Sequence, residues 1–198
     1  MADFRTELGI GKRIAAARKQ RGMTTARDLA DAIPVETLSE AVIQNIEAGR
    51  KVELSVSQLL NIAHALRVPP LFLLAPAGLP LHGPDVPNLG PDLQGMSTIE
   101  FDAWLTGATD GAYRWKTKDE RSERAELQAM RELHQQLQER RRLHAILEIE
   151  KEDNLTEDQM NQQTWESTPE RIANVQRRID QLESYLTSAG WDLDGWAA

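Results

Sequence analysis

The chain has 198 residues, 40% of them hydrophobic and 27% charged, with a net charge of −8. That length can bury the core of one ordinary domain or of two small ones. It contains no cysteine, which excludes disulfides, thiolate nucleophiles and cysteine-based metal sites and fits a reducing compartment.

Charge is divided unevenly. Residues 1–75 hold ten Lys/Arg against eight Asp/Glu, a net of +2, whereas residues 76–198 hold thirteen against twenty-three, a net of −10. A mildly basic head on an acidic body is compatible with a nucleic-acid partner, because attraction is set by the local face. The start of the chain shows no apolar stretch of the signal-peptide kind. The longest apolar run, Val68–Ala77, contains three prolines and is too short for a bilayer. A cytoplasmic location without membrane association is the expectation.

In chain order, Gly11 to Arg21 places Ile10, Ile14, Ala17 and Arg18 at helical spacing and ends at Gly22. Thr25 with Asp28 three residues on predicts a capping box opening a short helix to Asp31 or Ala32. Pro34 forces a turn over Ile33–Thr37. Ser39 is the next cap candidate, for a helix through Ala48 that Gly49 stops. Ser55 with Gln58 predicts another capping box, and Val56, Leu59, Leu60, Ala63 and Leu66 give its helix an apolar face. Pro69 or Pro70 then starts a last turn or two through Leu74. Five short helices with connections too short for a sheet crossover predict an all-α domain over residues 1–76.

Residues 75–95 contain five prolines and four glycines. Such a stretch reads as a linker, set at 77–96, or as an irregular segment wrapped on its neighbour. Ser97 opens a helical C-terminal module, residues 97–198, with a short helix over Thr98–Leu105. A long helix follows from Asp119 to about Lys151, striped by Leu127, Met130, Leu133, Leu137, Leu143, Ile146 and Leu147, with arginines 140 to 142 interrupting it. Asp153 to Ser167 is polar. Pro169, behind Ser167 or Thr168, opens a final helix to Ala189 carrying Ile172, Val175, Ile179, Leu182 and Leu186 at 3-4 spacing. The two stripes suit an antiparallel hairpin, a coiled-coil-like pair or a dimer seam, with Trp104, Trp115 and Trp165 placed to close the ends.

The first third carries, in order, Ile10-Gly11-Lys12-Arg13-Ile14, Arg18 to Gly22, Met23-Thr24-Thr25, Leu29-Ala30, Ser39, Val42-Ile43, Ile46-Glu47-Ala48-Gly49 and Leu59-Leu60-Asn61-Ile62-Ala63 to Val68-Pro69. This ordered set resembles the Cro/C1-type (XRE-like) helix-turn-helix family. The resemblance implies a five-helix lambda-repressor-like DNA-binding domain. The chain departs from it by about three extra residues within Ile33–Leu38 and one near Met23-Thr24.

By resemblance, Glu40, Ala41, Gln44 and Asn45 face the major groove. Alone they are four outward positions on a short helix whose buried side is Val42, Ile43 and Ile46. Their chemistry suits base edges: Gln or Asn pairs with adenine, Glu accepts from cytosine, and Ala meets a thymine methyl. Phosphate contacts are assigned to Lys12, Arg13, Arg27, Arg50 and Lys51, and to the N–H groups near Thr25 and Ala26 at a helix N-terminus. The family pattern pairs Arg18 with Glu47 as a structural ion pair. No catalytic, metal or cofactor site is expected, since no phosphate loop and no His-Glu-x-x-His occurs. His64, His82, His134 and His144 are too dispersed to share a metal. The function implied is a sequence-specific repressor, of which a phage or prophage immunity-type repressor is one version, acting as a homodimer on a palindromic double-stranded DNA operator. An antitoxin that represses its own operon and a protein-binding module with a vestigial head are the alternatives.

Overall fold

A computed structural model describes residues 3–51, 53–109, 111–152 and 167–196. Among these residues the chain is all-α, without strand. It divides into two compact units, with the boundary in the chain between Arg114 and Trp115.

The first unit begins with a single 3-10 turn over Phe4–Thr6 and then α1 (Ile10–Gln20), α2 (Ala26–Asp31), α3 (Glu40–Glu47), α4 (Val56–Leu66) and α5 (Leu71–Leu74). Their inward residues form one core, with Ile14, Leu29, Ile43, Ile62, Leu66 and Leu73 fully buried. α2 starts on a capping box between Thr25 and Asp28, and α4 on one between Ser55 and Gln58. Each satisfies helix-terminal N–H groups that water would otherwise have to serve. The lengthened turn between α2 and α3 folds as a second 3-10 turn, Glu36–Leu38. Ile33 and Leu38 at either end of it are buried in the core, so the extra residues are anchored at both sides.

Two glycines are required by this packing. Gly11 lies where α1 crosses α3, and a Cβ there would stand 2.1 Å from the Ile46 carbonyl oxygen. Gly49 ends α3 at φ 70°, a left-handed conformation that costs glycine nothing.

The Pro/Gly-rich stretch wraps on this core. Ala75 and Pro76 are buried, Val86 packs on the core, and the Gly78 N–H donates to the Arg5 carbonyl at 2.9 Å. A one-turn helix, α6 (Pro91–Gln94), leads to α7 (Thr98–Thr106), which Ser97 opens with a capping box to Glu100. The Thr98 hydroxyl donates to the His82 carbonyl at 2.8 Å. α7 therefore groups with the first unit, whereas the sequence reading starts a new module at residue 97.

The second unit is a hairpin of α8 (Lys118–Glu152) and α9 (Thr168–Ser188). α8 spans about 50 Å at 1.5 Å per residue. Ala129, Leu133 and Leu137 of α8 meet Ile179, Leu182 and Leu186 of α9. Arg178 pairs with Glu132 at 2.6 Å and Arg171 with Glu139 at 3.4 Å. Higher numbers on one helix meet lower numbers on the other, so the pair is antiparallel. The two sequence stripes thus pack against each other within one chain. Trp191 and Trp196 cover the end of this core, with the Trp191 indole N–H on Glu126 at 3.0 Å. Trp104 instead lies in the first unit, stacked on Phe101, Trp115 carries the Arg124 guanidinium over its ring, and Trp165 lies outside the described residues.

Candidate nucleic-acid interface

α3 is short because Ser39 enters it from an extended backbone and Gly49 ends it. Ile43 and Ile46 are 0% and 1% exposed, which fixes the helix's rotation about its axis. Glu40, Ala41, Gln44 and Asn45 consequently lie on the solvent side, all four exposed. The Gln44 side-chain N–H donates to a Glu40 carboxylate oxygen at 3.0 Å. One amide hydrogen is thereby held, leaving the second hydrogen and the amide oxygen as the donor and acceptor that adenine's edge requires.

The chain then doubles back. The Arg50 and Lys51 N–H groups both donate to the Asn45 carbonyl, at 2.9 and 3.0 Å, which keeps both side chains beside the end of α3. Arg50 is exposed and Lys51 half-buried; Lys12 on α1 and Arg27 on α2 are exposed. Arg27 lies 3.6 Å from Asp31, with both side chains in solvent, so the contact is weak.

Arg18 and Glu47 form a two-pronged ion pair, 2.7 and 2.9 Å, while Arg18 also donates to the Met23 carbonyl at 2.7 Å. The Glu47 bonds hold the Arg18 guanidinium above its ordinary pKa against the opposing effect of burial. α1 and α3 are tied together by this pair.

One expectation requires correction. Arg13, assigned to phosphate, is fully buried. It donates to the Leu73 carbonyl at 3.1 and 2.9 Å, to the Glu7 carbonyl at 2.9 Å, and to Asp85, leaving no donor for DNA. At the N-terminus of α2 the capping box engages the Thr25 and Asp28 N–H groups. The Thr25 N–H donates to the Asp28 carboxylate at 2.7 Å, as does the Thr24 hydroxyl at 3.1 Å. These bonds, led by the Thr25 N–H, hold the Asp28 carboxyl below its usual range. Ala26 buries its methyl, and a phosphate at this first turn would meet a carboxylate. The Thr25 N–H is thereby given to Asp28 rather than to a phosphate.

Asp85 is the residue that the sequence reading misses. It accepts from the Gly9 N–H at 2.5 Å as well as from Arg13. Its only local signal is a single carboxylate between Pro84 and Pro87, which does not reveal a partner 72 residues earlier.

An outward polar face on a short helix, flanked by exposed cations and braced by two buried arginines, defines a helix-turn-helix DNA-binding head. Residues 14–73 match the Helix-turn-helix family model, and an XRE-like domain of that family is present there. No curated protein and no solved structure matches the chain. The chain is a DNA-binding transcriptional regulator acting through this domain. Among the described residues no helix is long and apolar enough to cross a membrane, and no cluster of three or more His, Asp or Glu is placed to hold a metal.

Proposed function

We propose that the chain is a sequence-specific repressor whose lambda-repressor-like head, residues 1–76, docks α3 in the major groove. The observation that carries this reading is the outward set Glu40, Ala41, Gln44 and Asn45 opposite the buried Ile43 and Ile46. Arg50, Lys51, Lys12 and Arg27 are its phosphate contacts. Residues 77–96 brace the head through Asp85.

The repressor acts as a homodimer on a palindrome, since one head makes few base contacts and two heads read half-sites about one helical turn apart. Its C-terminal helices supply the assembly surface. Because the α8–α9 stripe is satisfied within one chain, the same contacts join two copies if α9 of one packs on α8 of the other. Sedimentation across the low micromolar range, with and without a DNA site, should show a dimer. A single copy on the operator at every concentration would contradict it.

Electrophoretic shift on cognate and scrambled DNA tests the groove assignment. Gln44→Ala should weaken cognate binding by about 1–3 kcal/mol and leave scrambled DNA nearly unchanged. Equal losses on both would remove Gln44 from the base-reading set. Lys51→Ala should weaken both duplexes alike and lower the slope of affinity against salt by about one. An unchanged slope would remove Lys51 from the phosphate set.

A further inference from the structure

Space remains beneath the strap around Asp85. One cavity of about 240 Å³ is walled by Leu8, Ile10, Ile46, Leu54 and Pro87. A neighbouring cavity of about 390 Å³ shares Ile10, Leu54 and Pro87 as walls and continues along Leu59 and Val86. The second falls within the roughly 300–1,000 Å³ of small-molecule sites, which are largely apolar with a few placed charges, and the first is slightly smaller.

The charged groups on the first cavity are Lys12, Lys51, Glu47 and Asp85. Glu47 is paired with Arg18 and Asp85 with Arg13. Both carboxylates are thus neutralised by buried guanidiniums. No ion pair engages either lysine among the described residues, so the uncompensated charges among the residues lining this cavity are positive. An apolar body with one negative end complements such a site.

We propose that this cavity is an effector site for a small organic anion, its carboxylate taken by Lys12 and Lys51 and its apolar tail running past Pro87 toward the second cavity. The inference rests on the reading of those lysines as phosphate contacts. A ligand carboxylate and the DNA backbone compete for the same two cations. The cavity is also walled by Ile46 to Gly49, the end of the base-reading helix. Binding of the anion lowers DNA affinity, and DNA lowers affinity for the anion by the same factor.

The probe is octanoate, with 1-octanol as the neutral control of equal length, titrated calorimetrically into the full chain without DNA. Octanoate should bind saturably at one site per chain, about tenfold more tightly than octanol. The double variant Lys12→Gln/Lys51→Gln, altered only at side chains outside the buried core, should lose about tenfold in octanoate affinity. Lys19→Gln, exposed elsewhere on α1, should bind like the parent. In a second arm, saturating octanoate should weaken operator binding by about tenfold. Absence of saturable binding, equal binding of octanol, or undiminished binding by the double variant would overturn the proposal. The first arm contains no DNA, so a chain that takes octanoate but ignores every duplex keeps the site and loses the repressor reading. A chain that holds its operator but ignores octanoate loses only the effector site.

Discussion

Asp85→Ala is expected to destabilise the first unit by about 3 kcal/mol, because it strands a guanidinium that no water reaches. Arg13 is 0% exposed and Asp85 27%. Breaking a buried pair from one side costs about 3–5 kcal/mol. The lower end applies because Asp85 retains some solvent and Arg13 keeps its bonds to the Leu73 and Glu7 carbonyls. Urea melts with amide exchange read out on α1 and α5 give the number, and a loss under about 0.5 kcal/mol would contradict the account. Burial pushes the Asp85 carboxyl up, but Arg13 and the Gly9 N–H outweigh it and hold the carboxyl below its usual value. A depressed folded-state pKa contributes stability above the unfolded value and loses it as pH falls through the folded one. Parent and variant should therefore differ fully at neutral pH, begin to converge as the pH falls to about 4, and meet only below the depressed folded-state value. A head fragment ending at residue 76 lacks Asp85 and should share the variant's deficit, whereas one ending at residue 114 should not.

Arg18→Met is expected to cost about 2–4 kcal/mol by leaving Glu47, 14% exposed, without its cation. Glu47→Leu strands Arg18 in the same way. The double variant should recover most of the loss, since no charge remains buried alone and the apolar pair fills the space. The effect extends to DNA, because Glu47 closes the helix whose other face carries Gln44 and Asn45. Each single variant should bind cognate DNA more weakly in proportion to its instability. Singles that melt like the parent, or a double variant no better than the worse single, would show that the pair does not tie α1 to α3.

Features set by neighbours in sequence were legible, and those set by distant partners were not. Thr25 with Asp28 and Ser55 with Gln58 read correctly as capping boxes because both partners lie within one helical turn. The outward position of Gln44 followed from the spacing of Ile43 and Ile46. The stripe on α9 was also readable, but 3-4 periodicity says only that a helix packs on a helix. The antiparallel register joins distant partners, Arg178 on Glu132 and Arg171 on Glu139, pairs 46 and 32 residues apart. Arg13 misled for the same reason: an arginine beside Lys12 at the head of a helix looks solvent-facing until Asp85 folds back over it. At the start of α2 the Asp28 side chain takes the Thr25 N–H, a bond within one helical turn.

The most direct measurement is selection of duplexes from a random-sequence library by the purified full chain at near-physiological salt. An enriched motif with two inverted half-sites about one helical turn apart is the expected result. Gln44→Ala should also relax one base position in each half-site while the rest of the motif persists. A pool with no enriched motif, retained only through salt-sensitive attraction, would contradict base reading by α3.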